Sequence, residues 1–454
     1  MYIKDTIVAL ATPYGISGVS ILRVSGIKVK EICNRILHTI PKVRYANYLN
    51  FFNVFNNTII DKGIVIRYEK PNSFTGEDIL EFQCHGSRIV IDILLKNILF
   101  IKDVRIANNG EFSRRAFFNN KIDLLQAEAI DDLINSNSEV MLKASMNALN
   151  GTYSVHINKL SKKITHIISD IEIILNIENE YDSSNNIILL NKLEKLIFEF
   201  KILKKRLDRS SILREGLRIV IAGVPNSGKS SLFNCILSND RSIVTEFSGT
   251  TRDVLIDSFS FEGSIFNISD TAGINFTKNK IEKIGIQKAW KEMKYASCVL
   301  LVTDDDISNF SKNAVNKKII KYLRHNNIFY VVILNKCDIK NIIPRIIKLK
   351  GIFYINLSAK KNLGINILLK FLKKKLLLKN FSDNILISRR RHLHLIEKSL
   401  FNLIESIKTF KKLYNLEILS ENLFKTRKLL DSIVGKFHTN DLLDSIFSNF
   451  CFGK

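Results

Sequence analysis

Between the apolar run Leu217-Arg-Ile-Val-Ile-Ala222 and the helix-forming segment Ser231-Leu-Phe-Asn-Cys-Ile-Leu237 lies one short loop, Gly223-Val-Pro-Asn-Ser-Gly-Lys-Ser230. It constrains the fold more than any other stretch. The run before it reads as a buried strand, and the loop must deliver that strand straight to a helix N-terminus. Its glycines let the backbone curl so that N–H groups face phosphate oxygens. Asn226, Ser227, Gly228, Lys229, Ser230 and Ser231 form the expected phosphate-binding set. Lys229 supplies charge to the β- and γ-phosphates, and the Ser230 hydroxyl suits Mg²⁺.

Three further pieces follow in order. Asp270-Thr-Ala-Gly273 ends the apolar stretch Ile265-Phe-Asn-Ile268. Asp270 fits the second shell of the Mg²⁺, Gly273 can place an N–H on the γ-phosphate, and Thr271 and Ala272 complete the turn. Asn335-Lys-Cys-Asp338 follows the strand-like Phe329-Tyr-Val-Val-Ile-Leu334. A carboxylate at Asp338 can accept from guanine N1–H and N2–H₂ together, a pair that adenine lacks, and leaving it unpaired would reject ATP. Ser358-Ala-Lys360 follows Ile352-Phe-Tyr-Ile-Asn-Leu357 and suits a backbone N–H contact to guanine O6. Any one piece is an ordinary strand-to-helix turn; four in this order point to GTP, with Asn335, Lys336, Asp338, Ser358, Ala359 and Lys360 on the base side. After Asp-Thr-Ala-Gly many GTPases carry a water-orienting Gln. Ile274 stands there and cannot orient water. Glu282 is a nearby candidate that also reads as a solvated helix-face carboxylate.

The chain's 454 residues suggest about three domains at ~150 residues each. No apolar run approaches the ~20 residues of a membrane-spanning helix. The N-terminal segment reads as a first strand rather than a leader, because Asp5 interrupts a short apolar run that Pro13 and Gly15 soon follow. Six cysteines form no Cys-x-x-Cys pair, which fits a reducing cytoplasm and no structural metal. The net charge of +24 favours an anionic partner such as RNA, although the abundance of Ile, Asn and Lys also matches AT-biased coding.

Residues 1–118 read as mixed α/β, with strands over Thr6–Leu10, Val19–Val24, Gly63–Tyr68 and Asp78–Gln83 and a helix from Ile89 to Leu99. Helical periodicity then takes over. Leu160, Ile164, Ile167, Ile168 and Ile171 recur at three- and four-residue spacing, as do Leu193, Leu196, Ile197, Phe200 and Leu203. The polar stretch from Asn176 to Asn186 reads as the loop between them. The nucleotide motifs occupy 216–377, and helical spacing resumes at Leu393 and again from Leu419 to Val434. The expected architecture is an α/β P-loop GTPase domain (216–377) inserted into an all-α helical bundle (119–215 and 378–454). An α+β N-terminal domain (1–118) precedes them.

With these landmarks placed, the whole chain resembles the MnmE (TrmE) family of bacterial tRNA-modification GTPases. The resemblance rests on Pro71-Asn-Ser-Phe-Thr-Gly-Glu-Asp78, Gly110-Glu-Phe-Ser113, Arg115-Ala-Phe117 and Lys121-Ile-Asp-Leu-Leu-Gln-Ala-Glu-Ala129. Gly249-Thr-Thr-Arg-Asp253, Arg389-Arg-Arg-His392 and Cys451-Phe-Gly-Lys454 complete it. It implies an N-terminal domain that binds 5-formyl- or 5,10-methylene-tetrahydrofolate and forms a homodimer. It also implies a flavin-dependent partner, MnmG, in a heterotetramer, and addition of an aminomethyl or carboxymethylaminomethyl group at C5 of the wobble uridine of certain tRNAs. GTP hydrolysis would drive domain rearrangement, in the cytoplasm and with no membrane.

By motif match, Arg23, Glu81, Lys121 and Lys454 would contact the folate. Arg and Lys suit its carboxylates, and Glu suits the donors of the pterin edge. Cys451 would sit beside the one-carbon group as a candidate catalytic residue. The segment Thr245, Glu246, Phe247, Ser248, Gly249, Thr250 and Thr251 would complete the nucleotide site. There a K⁺ ion would be held by Asn226, Thr245, Phe247 and Thr250, replacing an arginine finger, with Thr251 joining Ser230 on Mg²⁺. Glu282 would position the attacking water. Departures from the family pattern fall in Pro13-Tyr-Gly-Ile-Ser-Gly18, Cys84-His-Gly-Ser87 and Phe452. The rival reading, a ribosome-assembly GTPase that binds rRNA, explains the nucleotide motifs and the charge. It does not explain the N-terminal domain or the Cys-Phe-Gly-Lys end.

Overall fold

The structure is a computed structural model. It describes residues 5–136, 138–176, 183–239, 256–262, 264–270, 289–290, 292–376, 386, 388–437, 440–448, 450 and 453. The chain divides into two compact units. One comprises residues 1–134, 148–200 and 395–454; the other comprises 135–147 and 201–394. The larger segment of the second unit, 201–394, is thus flanked on both sides by segments of the first.

The first unit opens with six strands: β1 (Thr6–Leu10), β2 (Ser17–Ser25), β3 (Asn47–Phe52), β4 (Ile59–Tyr68), β5 (Ile79–Gly86) and β6 (Val104–Ile106). Their order is β3-β4-β5-β2-β1-β6, antiparallel except for β1 against β6. Period-two alternation sends Leu22, Val24, Leu80 and Phe82 to one face. They form a core there with Val29 and Ile32 and with Ile91, Leu94 and Ile98 of the helix Arg88–Leu99. The intervening residues Arg23 and Glu81 face the other way.

A buried ion network fixes the start of β1. The helix Glu111–Phe118 carries Glu111 and Arg115, both nearly inaccessible. Arg105 donates to both carboxylate oxygens of Glu111, and the Asn108 N–H donates to Oε2 at 2.8 Å. Arg115 donates to Glu111 at 3.0 Å, to Asp5 at 2.8 Å and to Glu77 at 3.1 Å. The motif pieces Gly110-Glu-Phe-Ser113 and Arg115-Ala-Phe117 thus hold structure here.

The helical part contains Thr152–Asn176, Ser183–Glu215, Arg390–Leu413 and Leu416–Val434. Ile157, Leu160, Ile164 and Ile171 are buried on the first and Leu419, Leu423, Leu430 and Ile433 on the last. Ser161 Oγ donates to Asp431 Oδ1 at 2.8 Å across that pair. One expectation is corrected. The stretch 176–186 is not all loop, because the first helix includes Asn176 and the next begins at Ser183. The short helix Asn440–Phe447 packs Leu443, Ile446 and Phe447 against Phe117, Leu124 and Ala127, with Phe450 alongside. This carries the chain end to the N-terminal sheet. A Cβ at Gly453, whose φ is +87°, would stand 2.2 Å from the Leu10 carbonyl oxygen. Only glycine fits that approach.

The second unit is built on seven strands: β7 (Leu217–Gly223), β8 (Ile256–Phe261), β9 (Ser264–Asp270), β10 (Cys298–Thr303), β11 (Tyr330–Leu334), β12 (Ile346–Leu349) and β13 (Ile352–Asn356). The order is β12-β13-β11-β10-β7-β9-β8, with β8 and β12 antiparallel at the two edges and the remainder parallel. Ile219, Ile221, Leu300, Val302 and Ile333 pack on the helices Lys229–Asn239 and Ile365–Leu376. Val220, Val299, Leu301 and Val332 pack on the other face, against Ile319 and Leu323 of the helix Ala314–His325. Both faces are covered, so the strands read as continuous apolar runs. Among the described residues no helix is long and apolar enough to cross a membrane.

Candidate functional site

In an open parallel sheet, ligand-binding loops gather beyond the carboxyl ends of the strands. Here β7, β9, β11 and β13 end in the four motifs read from the sequence. The phosphate loop turns through Asn226 at φ +62° and Gly228 at φ +91° into the helix Lys229–Asn239. Lys229 Nζ lies within the loop and donates to the Val224 carbonyl at 2.8 Å; Ser227 Oγ donates to the same oxygen at 2.9 Å. Ser230 and Ser231 stand exposed in the first turn of the helix.

Asn335 ties three motifs together. Its Nδ2 donates to the Ser227 carbonyl at 3.0 Å, and its Oδ1 accepts from the Ala359 N–H at 3.1 Å. The phosphate loop, the base loop and the Ser358-Ala-Lys360 turn are thereby set in one frame. The Cys337 N–H donates to the Leu357 carbonyl at 3.2 Å and supports the same frame. Lys336, also at positive φ, donates to Asp304 Oδ2 at 2.6 Å. Lys360 is exposed.

Asp338 follows on the same loop. The Ser358 side chain first, then backbone N–H groups and the charge of Lys361, hold its carboxyl below the usual aspartate value. An ionised carboxylate beside the Asn335 frame is the acceptor that a guanine edge needs. The backbone of Asp270 pairs beside Ile221 at the end of β7. Thr271, Ala272, Gly273, Glu282 and the segment Thr245–Thr251 lie outside the described residues.

A second candidate site lies in the first unit. A cavity of about 620 Å³ is walled by Tyr68, Phe74, Ile79, Ile122, Ile130 and Leu133, with Arg23, Glu81 and Ser113 as its polar groups. Arg23 and Glu81 are cross-strand partners, and Arg23 Nε donates to Glu81 Oε1 at 2.8 Å. Being paired, they address one end of a ligand rather than two. Among the described residues the terminal nitrogens of Arg23 and Oε2 of Glu81 have no hydrogen-bond partner. Ser113 Oγ is buried on the cavity wall with no partner either. The Lys121 stem lies along Gly76, and the cavity wall is formed by its neighbour Ile122 instead. Cys451 and Lys454 lie outside the described residues, although Gly453 between them sits against β1. Sequence reading noted Ser113 only as part of a motif and passed over Tyr68 and Phe74. Their convergence depends on how β4, β5 and the helix Glu111–Phe118 meet, which no local pattern records.

The buried thiols are unreactive. Burial pushes Cys33 up to about 12 and Cys84 up to about 11. Among the described residues no cluster of His, Cys, Asp and Glu could hold a metal. A Mg²⁺ held by hydroxyls and phosphate oxygens needs no such cluster.

A family model described as "GTP-binding protein TrmE N-terminus" matches residues 6–121, and one described as "MnmE helical domain" matches residues 124–451. The chain belongs to the MnmE family. The tRNA modification GTPase MnmE of Buchnera aphidicola subsp. Schizaphis graminum is 43% identical over 455 residues, covering 99% of each chain. Those of Yersinia pestis bv. Antiqua and Proteus mirabilis are each 39% identical, covering 100% of both chains. The MnmE match thus runs through the N-terminal cavity, the inserted nucleotide unit and the helical segments on both sides of it.

Proposed function

We propose that this chain hydrolyses GTP as part of the modification of tRNA, and that the one-carbon unit for that modification is held in the N-terminal cavity. The observation that carries the nucleotide half is the Asn335 clamp, which sets the phosphate loop, the base loop and the Ser358 turn in one frame with the ionised Asp338 beside it. Lys229 would release Val224 to meet the β- and γ-phosphates, and Ser230 would turn to the Mg²⁺. Mg²⁺ and K⁺ supply charge stabilisation as phosphate negative charge shifts in the transition state. Asn226 and the segment Thr245–Thr251 are the expected K⁺ and Mg²⁺ groups, and Glu282 the water-positioning one.

The cavity suits a reduced folate. Its apolar and aromatic lining fits a flat ring system, and its few convergent polar groups fit a hydrogen-bonding edge. Glu81 Oε2, the Arg23 terminal nitrogens and Ser113 Oγ would read that edge. The chain end near Gly453 would bring Cys451 and Lys454 to the same domain. Addition of the aminomethyl-type group at C5 of a wobble uridine would then proceed with the flavoprotein MnmG, in an assembly built on an N-terminal homodimer.

Asp338→Asn tests the base-reading role. The variant is expected to lose GTP preference and gain XTP preference, each by at least ~10-fold, since a lost charged hydrogen bond is worth about 1.5–3 kcal/mol. An unchanged preference would remove the reading. Titration with a formyl-folate, and rates in K⁺ against Na⁺ at matched ionic strength, test the other two pieces separately. Absent binding removes the folate, and equal rates remove the potassium.

A further inference from the structure

Charge is not spread evenly along this chain. Residues 307–376 carry sixteen Lys and Arg and a single acidic residue, Asp338. The other 384 residues carry 52 basic and 43 acidic side chains, close to balance. Biased coding would enrich lysine throughout, so it does not account for a near-complete loss of carboxylates in one stretch.

The fold gathers part of this stretch into one groove. Two adjoining hollows of about 340 and 310 Å³ share Arg324 and Ile352. Lys317, Lys321 and Arg324 line them from the helix Ala314–His325, and Lys350 lines them from the turn between β12 and β13. Arg324 Nε donates to the Tyr330 hydroxyl at 3.2 Å. Lys348 and Lys375 lie 5.7 and 4.7 Å from the Phe353 ring centre on the opposite face of the sheet and are not part of the groove. Lys317, Lys321, Arg324 and Lys350 are exposed, and among the described residues none has a carboxylate partner. Unneutralised cations gathered this closely repel one another and favour a polyanion.

The groove reaches the first residues of β11 and β13, Tyr330 and Ile352. The nucleotide loops leave the opposite ends of those strands. An anion bound in the groove would therefore not compete with GTP for space. The helix Ala314–His325, which carries three of the four cations, exposes no large apolar side chain for insertion into a lipid, while Ile346 and Leu349 of β12 are exposed nearby.

We propose that this face of the inserted unit is a docking surface for the phosphate backbone of tRNA. The proposal rests on the reading that the chain acts in tRNA modification. It adds where the RNA is gripped: on the body that turns over GTP, with nucleotide and RNA held at once. Cations of this kind position an RNA without reading its bases.

The test is the full-length protein carrying Lys317→Gln, Lys321→Gln, Arg324→Gln and Lys350→Gln. An equal-charge control carries Lys159→Gln, Lys162→Gln, Lys195→Gln and Lys398→Gln. Binding of an unmodified tRNA transcript is followed by fluorescence anisotropy over a salt series, together with GTP hydrolysis. The groove variant should bind ~10- to 100-fold more weakly at low salt. Its log K against log salt slope should shrink by about 2 to 4, at ~0.7–0.9 per lost phosphate contact. Its GTP hydrolysis without RNA should stay normal, and the control should bind as wild type. Unchanged binding by the groove variant, or equal weakening in both, would overturn the surface while leaving the tRNA reading standing. Wild-type protein that binds no tRNA would remove that reading as well. Binding to phosphatidylserine vesicles that needs the same four residues, with tRNA binding unaffected, would assign the face to a membrane and overturn the proposal.

Discussion

Gly228→Ala is expected to lower GTP affinity by roughly a hundredfold to a thousandfold while the protein still folds. At this position φ is +91°, and an added Cβ would stand 2.2 Å from Asn335 Nδ2. The left-handed conformation costs a non-glycine residue about 1–2 kcal/mol. The clash also displaces the amide that holds the Ser227 carbonyl and the Ala359 N–H. Losing those buried bonds adds about 1–3 kcal/mol. Every ~1.4 kcal/mol is tenfold in affinity. The loop can relieve the strain by moving away, so the cost falls on the binding conformation rather than on the sheet beneath it. Nucleotide titration with a fluorescent GTP analogue, alongside a thermal melt, separates the two. Near-normal affinity would show that Asn335 does not hold the loop in its binding form.

The second large effect is on stability. Glu111→Ala should destabilise the first unit by about 1.5–3 kcal/mol, because it removes charged hydrogen bonds to Arg105 and Arg115 and leaves them only Asp5 and Glu77 as carboxylate partners. The network also predicts a pH dependence. Burial pushes the Glu111 carboxyl up, but Arg105, the Asn108 N–H and Arg115 together outweigh it and leave the pKa below the ordinary 4.5. A group with a depressed folded pKa contributes its full stability above the unfolded value and loses it as pH falls through the folded one. Wild-type stability should therefore drop on acidification below about 4.5, and Glu111→Gln should lose part of that slope. Denaturant melts at several acidic pH values measure both. Equal melting of wild type and Glu111→Ala would mean that the network is cosmetic.

The parts that sequence revealed are those whose signal is local. β7, β11 and β13 are buried on both faces and read as continuous apolar runs that end in recognisable loops. Thr6–Leu10 was legible for the same reason, with all five residues buried. β3 was not, since Asn47-Tyr-Leu-Asn-Phe-Phe52 shows no clean alternation. Nor was β12, a four-residue edge strand mostly open to solvent. The phosphate loop could be assigned residue by residue because its chemistry lies within eight consecutive positions. Asn335 as a clamp, Ser113 as an orphaned hydroxyl and the Arg23–Glu81 pair needed the fold. In each case the deciding neighbour is tens of residues away in the chain. The basic groove shows both sides of this. Its missing carboxylates are visible in sequence, but its cations converge only when Ala314–His325 packs beside β13.

The central claim is that GTP turnover by this chain serves modification of wobble uridines. Mass analysis of tRNA nucleosides from a strain lacking the protein tests it most directly, with complementation by wild type and by Gly228→Ala. The C5 aminomethyl-type groups should disappear in the deletion strain, return with wild type and fail to return with Gly228→Ala. Unchanged levels in the deletion strain, or full restoration by Gly228→Ala, would contradict the account.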